Sequence, residues 1–225
     1  TVAAGADAVD EAGLGPAAID AADADAFRLL NDAFAAAPVV VEVPRGVVLD
    51  EPLVVSTHVA GAGTAAFPRL VVRLGEGASL RLVEVLTSAG PVLVVPRTEV
   101  DLARGARLAQ VQLQDLGADA WQLGSLVARV AQEADLDAAL VGLGGAYARV
   151  RTDCHLAGRG ANGDLRAAYF GEADQMLDYR TFQFHEAPDT TSDLLFKGAV
   201  GGRSRSVYTG LIRVEKEARG TSAFQ

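Results

Sequence analysis

The chain has 225 residues, 50% of them hydrophobic and 6% aromatic, with 20 Lys+Arg against 29 Asp+Glu and a net charge of −9. That balance argues against a nucleic-acid or anionic-membrane surface as the main partner, because phosphate binding needs clustered cations, and no run of about 18 apolar residues reads as a membrane span. A single cysteine excludes an internal disulfide framework and a zinc or cluster site built by this chain alone, since such sites need several thiolates or imidazoles.

The N-terminus lacks the basic stretch of a signal peptide, so the expectation is a soluble, cytoplasmic protein. Residues 1–37 carry seven acids (Asp7, Asp10, Glu11, Asp20, Asp23, Asp25, Asp32) and one base, Arg28, so −6 of the −9 sits there. Residues 1–16 are Ala/Gly/Asp-rich without an apolar period and read as a mobile lead-in. An N-terminal helical segment is assigned to 17–37, with the helix itself from Ile19 to Ala37. Phe27, Leu30 and Phe34 recur at spacings of three and four, which makes one apolar stripe. Asp20, Asp23 and Asp25 sit in or before the first turns, where the helix dipole favours negative charge. Pro38 stops the helix.

From Pro38 onward the period becomes that of strands, and 38–225 reads as one β core. Short β-branched runs occur at Val39–Val43, Val47–Leu49, Leu53–Ser56, Arg69–Leu74, Ser79–Leu86 and Val92–Val95. More follow near 106–116, 121–131, 134–143, 147–156, 164–170, 175–185, 192–200, 204–214 and 220–225. Gly, Pro or Asp punctuates each. No amphipathic helix interrupts them, which argues against a doubly wound α/β fold. Gly77-Ala78-Ser79-Leu80, Gly105-Ala106-Arg107-Leu108 and Gly145-Ala146-Tyr147-Ala148 share a Gly-Ala-x-apolar pattern, with Gly163-Asp164-Leu165 a weaker echo. Strands at such intervals suit a sandwich, a barrel or a β-solenoid. Sparse hairpin signals, with Asn162-Gly163 the one Asn-Gly pair, and many small residues within strands favour the solenoid.

The chemical motifs are weak individually. Gly142-Leu143-Gly144-Gly145-Ala146-Tyr147 lacks the third glycine and the helix of a dinucleotide loop, and Gly198-Ala199-Val200-Gly201-Gly202-Arg203-Ser204 lacks the Gly-Lys-[Ser/Thr] ending of a phosphate loop. Both read as turns. Neighbours on a strand point to opposite faces, so Cys154 and His155 do not form one dyad or metal site, and Cys154 reads as a core residue. His58 reads as an exposed loop histidine. His185 closes the alternating run from Tyr179 and precedes Glu186, Asp189, Thr190, Thr191 and Ser192. A histidine capping its strand by a hydrogen bond is the plainer reading, catalysis the sharper one, and no Gly-x-Ser-x-Gly elbow accompanies it. Lys197, one of two lysines against eighteen arginines, reads as a solvent-facing position in the alternation.

The segment from His185 onward carries a family resemblance. His185-x-x-Pro188-x-Thr190-x-Ser192, Phe196-Lys197-Gly198, Arg205-Ser206-Val207-Tyr208-Thr209-Gly210-Leu211-Ile212-Arg213-Val214 and Ala218-Arg219-Gly220-Thr221-Ser222-Ala223-Phe224-Gln225 resemble the iron–sulfur cluster assembly proteins SufB and SufD. Upstream, Leu30-Asn31-Asp32-Ala33-Phe34 and the stretch from Val43 to Leu53 are similar to the SufD entry into its first strands. The resemblance covers roughly residues 27–225 and is strongest over 185–225. It implies an all-β, right-handed parallel β-helix (β-solenoid) preceded by a short N-terminal helix, and a cytoplasmic SufB–SufD heterodimer bound to the ATPase SufC. A phosphate loop is then not expected here, because another chain handles the nucleotide. SufB typically carries a Gln-Cys-Asp-Ser stretch where this chain ends in Phe224-Gln225, so SufD is the closer match. The family continues through further coils, a histidine segment and helices that dock SufC, so the residues of those interfaces are not assigned here. His185 and Lys197 are the polar positions of the matched motif.

The leading expectation is therefore a non-catalytic scaffold that pairs with a SufB-like chain and a SufC-like ATPase. It holds no cofactor alone and shares any iron–sulfur cluster with its partner; a homodimer of this segment, its last coil covered by a second copy, is a further expectation. The enzyme-class alternative is a β-helix acting on polysaccharide, with Asp153, Asp164 and Asp174 as general acid and base, which requires paired carboxylates roughly 5–9 Å apart. A third reading is a structural solenoid that polymerises through its end coils.

Overall fold

A computed structural model describes residues 2–4 and 25–225. The strands are β1 (Val2–Ala4), β2 (Val39–Val43), β3 (Leu53–Ala60), β4 (Ala65–Ala66), β5 (Arg69–Leu74), β6 (Ser79–Ala89), β7 (Leu93–Val94), β8 (Arg97–Leu102) and β9 (Arg107–Asp115). They continue as β10 (Trp121–Val130), β11 (Asp135–Gly142), β12 (Tyr147–Leu156), β13 (Asn162–Gly171), β14 (Met176–His185), β15 (Thr191–Val200), β16 (Arg205–Val214) and β17 (Ser222–Phe224). Among the described residues one helix, α1 (Ala26–Phe34), precedes β2.

Successive long strands alternate between two walls. One wall runs β1-β2-β5-β8-β10-β12-β14-β16, with β4 and β7 at its side, and the other runs β17-β15-β13-β11-β9-β6-β3. Every pairing is parallel except β1 with β2, and partners lie between 26 residues (Trp121 to Tyr147) and 31 residues (Val39 to Leu70) apart. That is a β-solenoid, and no β-hairpin links its walls.

Register stacks like positions into columns. Val41, Val72, Val100, Ala128, Cys154, Gln183 and Ile212 form one interior column of the first wall, and Val43, Leu74, Leu102, Val130, Leu156, His185 and Val214 form another. Leu80, Leu108, Leu136, Gly163 and Ser192 face them from the second wall. Fully burying a Val or Leu side chain contributes about 1.5–3 kcal/mol, so these columns supply the main drive for coiling. The lumen is narrow: a Cβ added at Gly163 would lie 2.9 Å from the Cys154 sulfur and 3.0 Å from Leu156. A side chain there would overpack the core.

One corner is a column of left-handed residues. Gly46, Gly77, Gly105, Glu133, Gly160, Asp189 and Gly220 all have φ between 56° and 73°. Up to Asp189, each donates its backbone N–H to a carbonyl of the next coil, as Gly105 does to Gln132 and Glu133 does to Arg159. From Gly77 to Asp189 the residue after each turn is small and interior: Ala78, Ala106, Ala134, Ala161 and Thr190 are all 0% exposed. The Gly-Ala pattern at 77 and 105 therefore marks a true repeat whose later members are Glu133-Ala134 and Gly160-Ala161. Gly145 belongs to a turn between β11 and β12, and Gly163 lies inside β13, so those two echoes are out of phase.

Several expectations need correction. The helix ends at Phe34, and Ala35 is already extended (φ −67°, ψ 115°), while 17–24 lie outside the described residues. Its buried side chains are Arg28 and Asn31, whereas Leu29 and Phe34 are 54% and 61% exposed. The wall beneath is charged, so Arg28 and Asn31 seat on it, while the stripe lies at the margin, Phe27 beneath the Arg149 guanidinium and Phe34 stacked on Phe67 at 5.2 Å. Val2–Ala4, expected in the mobile lead-in, pair with β2; residues 5–16 lie outside the described residues. Val47–Leu49 contributes only a bridge from Val48 to Ser79. The strand at Arg97–Leu102 was not anticipated, because outward Glu99 and Asp101 interrupt its apolar pattern. His58 lies on β3, exposed, with Nδ1 2.9 Å from the Thr87 hydroxyl, rather than in a loop.

Candidate functional site

His185 and Lys197 do not meet. His185 ends β14 inside the coil, 0% exposed, and Lys197 stands exposed on β15 of the opposite wall. The imidazole Nδ1 lies 2.8 Å from the Thr190 hydroxyl and Nε2 lies 3.0 Å from the Ser192 hydroxyl. Thr190 in turn donates to the Ala187 carbonyl and contacts the Thr221 hydroxyl at 3.1 Å. Burial pushes the His185 pKa down, so the ring is held neutral. With both nitrogens engaged and no solvent access, it works as an internal tie between β14 and the following turn, the plainer of its two readings.

Cys154 is also interior, 0% exposed, and burial pushes its thiol up to about 12. A thiol so placed is a core residue of low reactivity. His155 points outward, stacks on Phe184 at 4.5 Å and contacts Glu186 at 2.7 Å through Nδ1, so the two neighbours do face opposite ways.

The three carboxylates of the enzyme alternative are dispersed. Asp153 is buried on the first wall against Arg28 (3.0 Å) and Arg151 (2.8 Å). Asp164 is on the second wall with Arg166 at 3.0 Å, and Asp174 sits in the turn after β13 with Arg203 at 2.6 Å. Each is ion-paired to arginine, Asp164 through an Arg166 that also holds Asp137, and the three lie on different parts of the coil.

Sequence reasoning missed the most densely charged part of the molecule, the seam between α1 and the first wall. Asp25 caps α1, its Oδ1 accepting from Phe27 N (3.1 Å) and Arg28 N (3.0 Å) and its Oδ2 from Arg149 Nη2 (2.6 Å). Burial works against the Asp25 carboxylate, but Arg149 and the helix N–H groups outweigh it and hold its pKa below the ordinary value. Arg28 reaches Asp153, and the Asn31 amide donates to the Val95 carbonyl (2.7 Å) and the Pro68 carbonyl (3.1 Å). Asp32 pairs with Arg69 and Arg97 at the other end of the helix. The available signal was coil spacing: Arg69 and Arg97, then Arg151 and Arg180, are aligned in register.

Inside the coil, Glu84 was equally invisible. Its carboxylate accepts from the Thr98 hydroxyl and the Gln112 amide, both at 3.0 Å, and burial pushes its pKa up despite those bonds. Among the described residues no group of three His, Cys, Asp or Glu is placed to hold a metal ion, and no helix is long and apolar enough to cross a membrane.

With this geometry established, comparison with known proteins is informative. Residues 57–225 match the model of the SUF system FeS cluster assembly SufBD core domain. The chain is 29% identical over 220 residues to an iron-sulfur cluster assembly SufBD family protein of Mycobacterium bovis, covering 95% of this chain and 54% of that protein. Similar matches join it to the Mycobacterium leprae family protein (28% identity, 83% of this chain, 49% of that one) and that of Staphylococcus haemolyticus (25%, 90% and 44%). The chain thus spans about half the length of the curated relatives it matches.

Proposed function

The chain belongs to the SufBD core family of the SUF iron–sulfur cluster assembly system, and we propose that it serves there as a SufD-like, non-catalytic scaffold. It would act in the cytoplasm, pairing with a SufB-like chain and a SufC-like ATPase. The observation that carries this reading is the position of Cys154. Cys154 is sealed inside the coil, which supports a reading in which this segment contributes a shaped wall rather than a thiolate to a nascent cluster. The dispersed, arginine-matched carboxylates favour a scaffold over a hydrolase for the same reason.

The test is co-expression of the full-length protein with cognate SufB-like and SufC-like chains. A stoichiometric complex is expected, with cluster absorbance on anaerobic reconstitution that survives Cys154→Ala in this chain. Elution of the full-length protein alone, with normal iron–sulfur enzyme activity in cells lacking it, would reject the role.

A further inference from the structure

Arg69, Arg97, Arg151 and Arg180 occupy one outward column of the first wall, with Ser125 at the single rung between them. Like charges directly across strands repel, so such a column folds only with counter-charges in place. Arg28 of α1, 3% exposed, adds a guanidinium close to that of Arg97 and paired with Asp153. With Arg149, six guanidinium groups meet five carboxylates: Asp25, Asp32, Glu99, Asp153 and Asp178.

The surplus lies around the N-terminus of α1, where Arg28, Arg149, Arg151 and Arg180 face Asp25, Asp153 and Asp178. Arg69 and Arg97 share Asp32 and Glu99, Arg28 and Arg151 share Asp153, and Arg180 binds Asp178 at 2.8 Å. Arg149 has Asp25 alone, and that carboxylate spends its other oxygen on the first turn of α1. Arg149 is 5% exposed, yet its Nη1 has no hydrogen-bond partner. A buried guanidinium nitrogen without an acceptor is costly. The planar group lies over the Phe27 ring at 5.0 Å, which fixes it beside the positive end of a nine-residue helix. Arg151 and Arg180 both lie near enough to Asp25 to feel its charge.

We propose that this corner, where Arg149 meets the N-terminus of α1, binds a small tetrahedral oxyanion, phosphate or sulfate. Arg149 Nη1 is the buried anchoring donor. Arg180, whose side chain is 40% exposed, closes over the anion from the solvent side, and α1 contributes its dipole. The ligand would offset the surplus positive charge of this corner among the described residues, where four guanidinium groups face three carboxylates, and bind α1 more firmly to the wall.

The proposal predicts a saturable rise in the thermal midpoint of the full chain with potassium phosphate or potassium sulfate, against potassium chloride at the same ionic strength. The anion giving the larger response at equal concentration identifies the source. Arg180→Gln should weaken the response about tenfold relative to its own chloride baseline, and Arg149→Gln should remove it. Phosphorus NMR line broadening of phosphate by the wild type, absent with Arg149→Gln, reports binding independently of stability. Responses to both anions no greater than to chloride, or wild-type affinity in either variant, would overturn the site.

Discussion

The early and late coils of the first wall are built from different chemistry. Up to β10 the interior columns are Val, Leu and Ala: Val41, Val72, Val100 and Ala128 beside Val43, Leu74, Leu102 and Val130. In β14 the same two columns carry Gln183 and His185, both buried, whereas in β12 they still hold Cys154 and Leu156. Apolar rungs are interchangeable, since a valine column slipped by one coil still meets valines. The hydrogen-bonded rungs are not, because His185 is satisfied only by Thr190 and Ser192. The late coils therefore define register while the early ones supply burial, and polar groups in the lumen cost stability wherever they lack partners. Both amide atoms of Gln183 are in that position.

The largest effect should come from the early coils. Leu102 is 0% exposed between Leu74 and Val130, so Leu102→Ala should cost about 3 kcal/mol by urea denaturation, the middle of the range for buried Leu→Ala changes. A cost below about 1 kcal/mol would show that the early interior collapses around the gap and would break the comparison.

Second is His185→Leu, which keeps roughly the volume but removes both ring nitrogens and leaves the Thr190 and Ser192 hydroxyls without this partner. It should cost about 2 kcal/mol at pH 8. If it costs nothing, the late coils are held by packing alone. The pH dependence sharpens the test. An unfolded histidine titrates near 6.5, and the folded ring is shifted below that by burial. The unfolded chain thus binds the proton first on acidification, so the stability contributed by His185 is complete above 6.5 and lost as pH falls through the folded value. The His185→Leu variant should lack that loss between pH 6.5 and 5, which denaturation at half-unit intervals would reveal.

This division also explains what could be read in advance. Most strands were legible, since β9 to β16 show alternating apolar residues between Gly, Pro or Asp boundaries, and the family motif after His185 fell on strands and turns as required. The helix seat was not, because Phe27, Leu30 and Phe34 advertise an apolar contact while the wall awaiting α1 is assembled from arginines about one coil apart. Periodicity within a segment cannot reveal a partner surface built from segments 28 or 29 residues away (Arg69 to Arg97, Arg151 to Arg180). His185 was identified but its surroundings were not: Ser192 lies seven residues on, across the turn from β14 to β15.

A smaller effect tests the exception in the early half. Glu84 sits in the lumen of β6 with its folded pKa above the ordinary 4.5 because of burial. The unfolded state then releases its proton first as pH rises, so the stability Glu84 contributes is present below 4.5 and lost as pH climbs through the folded value. Glu84→Gln keeps the shape and an acceptor for Thr98 and Gln112. It should raise the urea midpoint at pH 8 and leave it near the wild-type value at pH 4. An unchanged midpoint at pH 8 would mean that Thr98 and Gln112 fully compensate the buried charge.

The smallest expected change lies in the turn column, which early and late coils share. Glu133 holds φ 56° at a position where Gly105 precedes it and Gly160 follows it by one coil each. A side chain in that left-handed region costs about 1–2 kcal/mol, whereas glycine pays only its extra unfolded-state entropy, roughly 0.5–1 kcal/mol. Among the described residues the exposed Glu133 side chain has no salt-bridge partner to offset the strain. Glu133→Gly should therefore stabilise the solenoid by about 0.5 kcal/mol, and the matching Gly105→Ala should destabilise it by about 1 kcal/mol. The Glu133 N–H donates to the Arg159 carbonyl in either residue, so the ladder itself is untouched. Opposite signs in these two variants, read as shifts in urea midpoint at constant slope, would show that the repeat is set by backbone conformation at the corner. Equal signs would place its origin in the small interior residue that follows each turn.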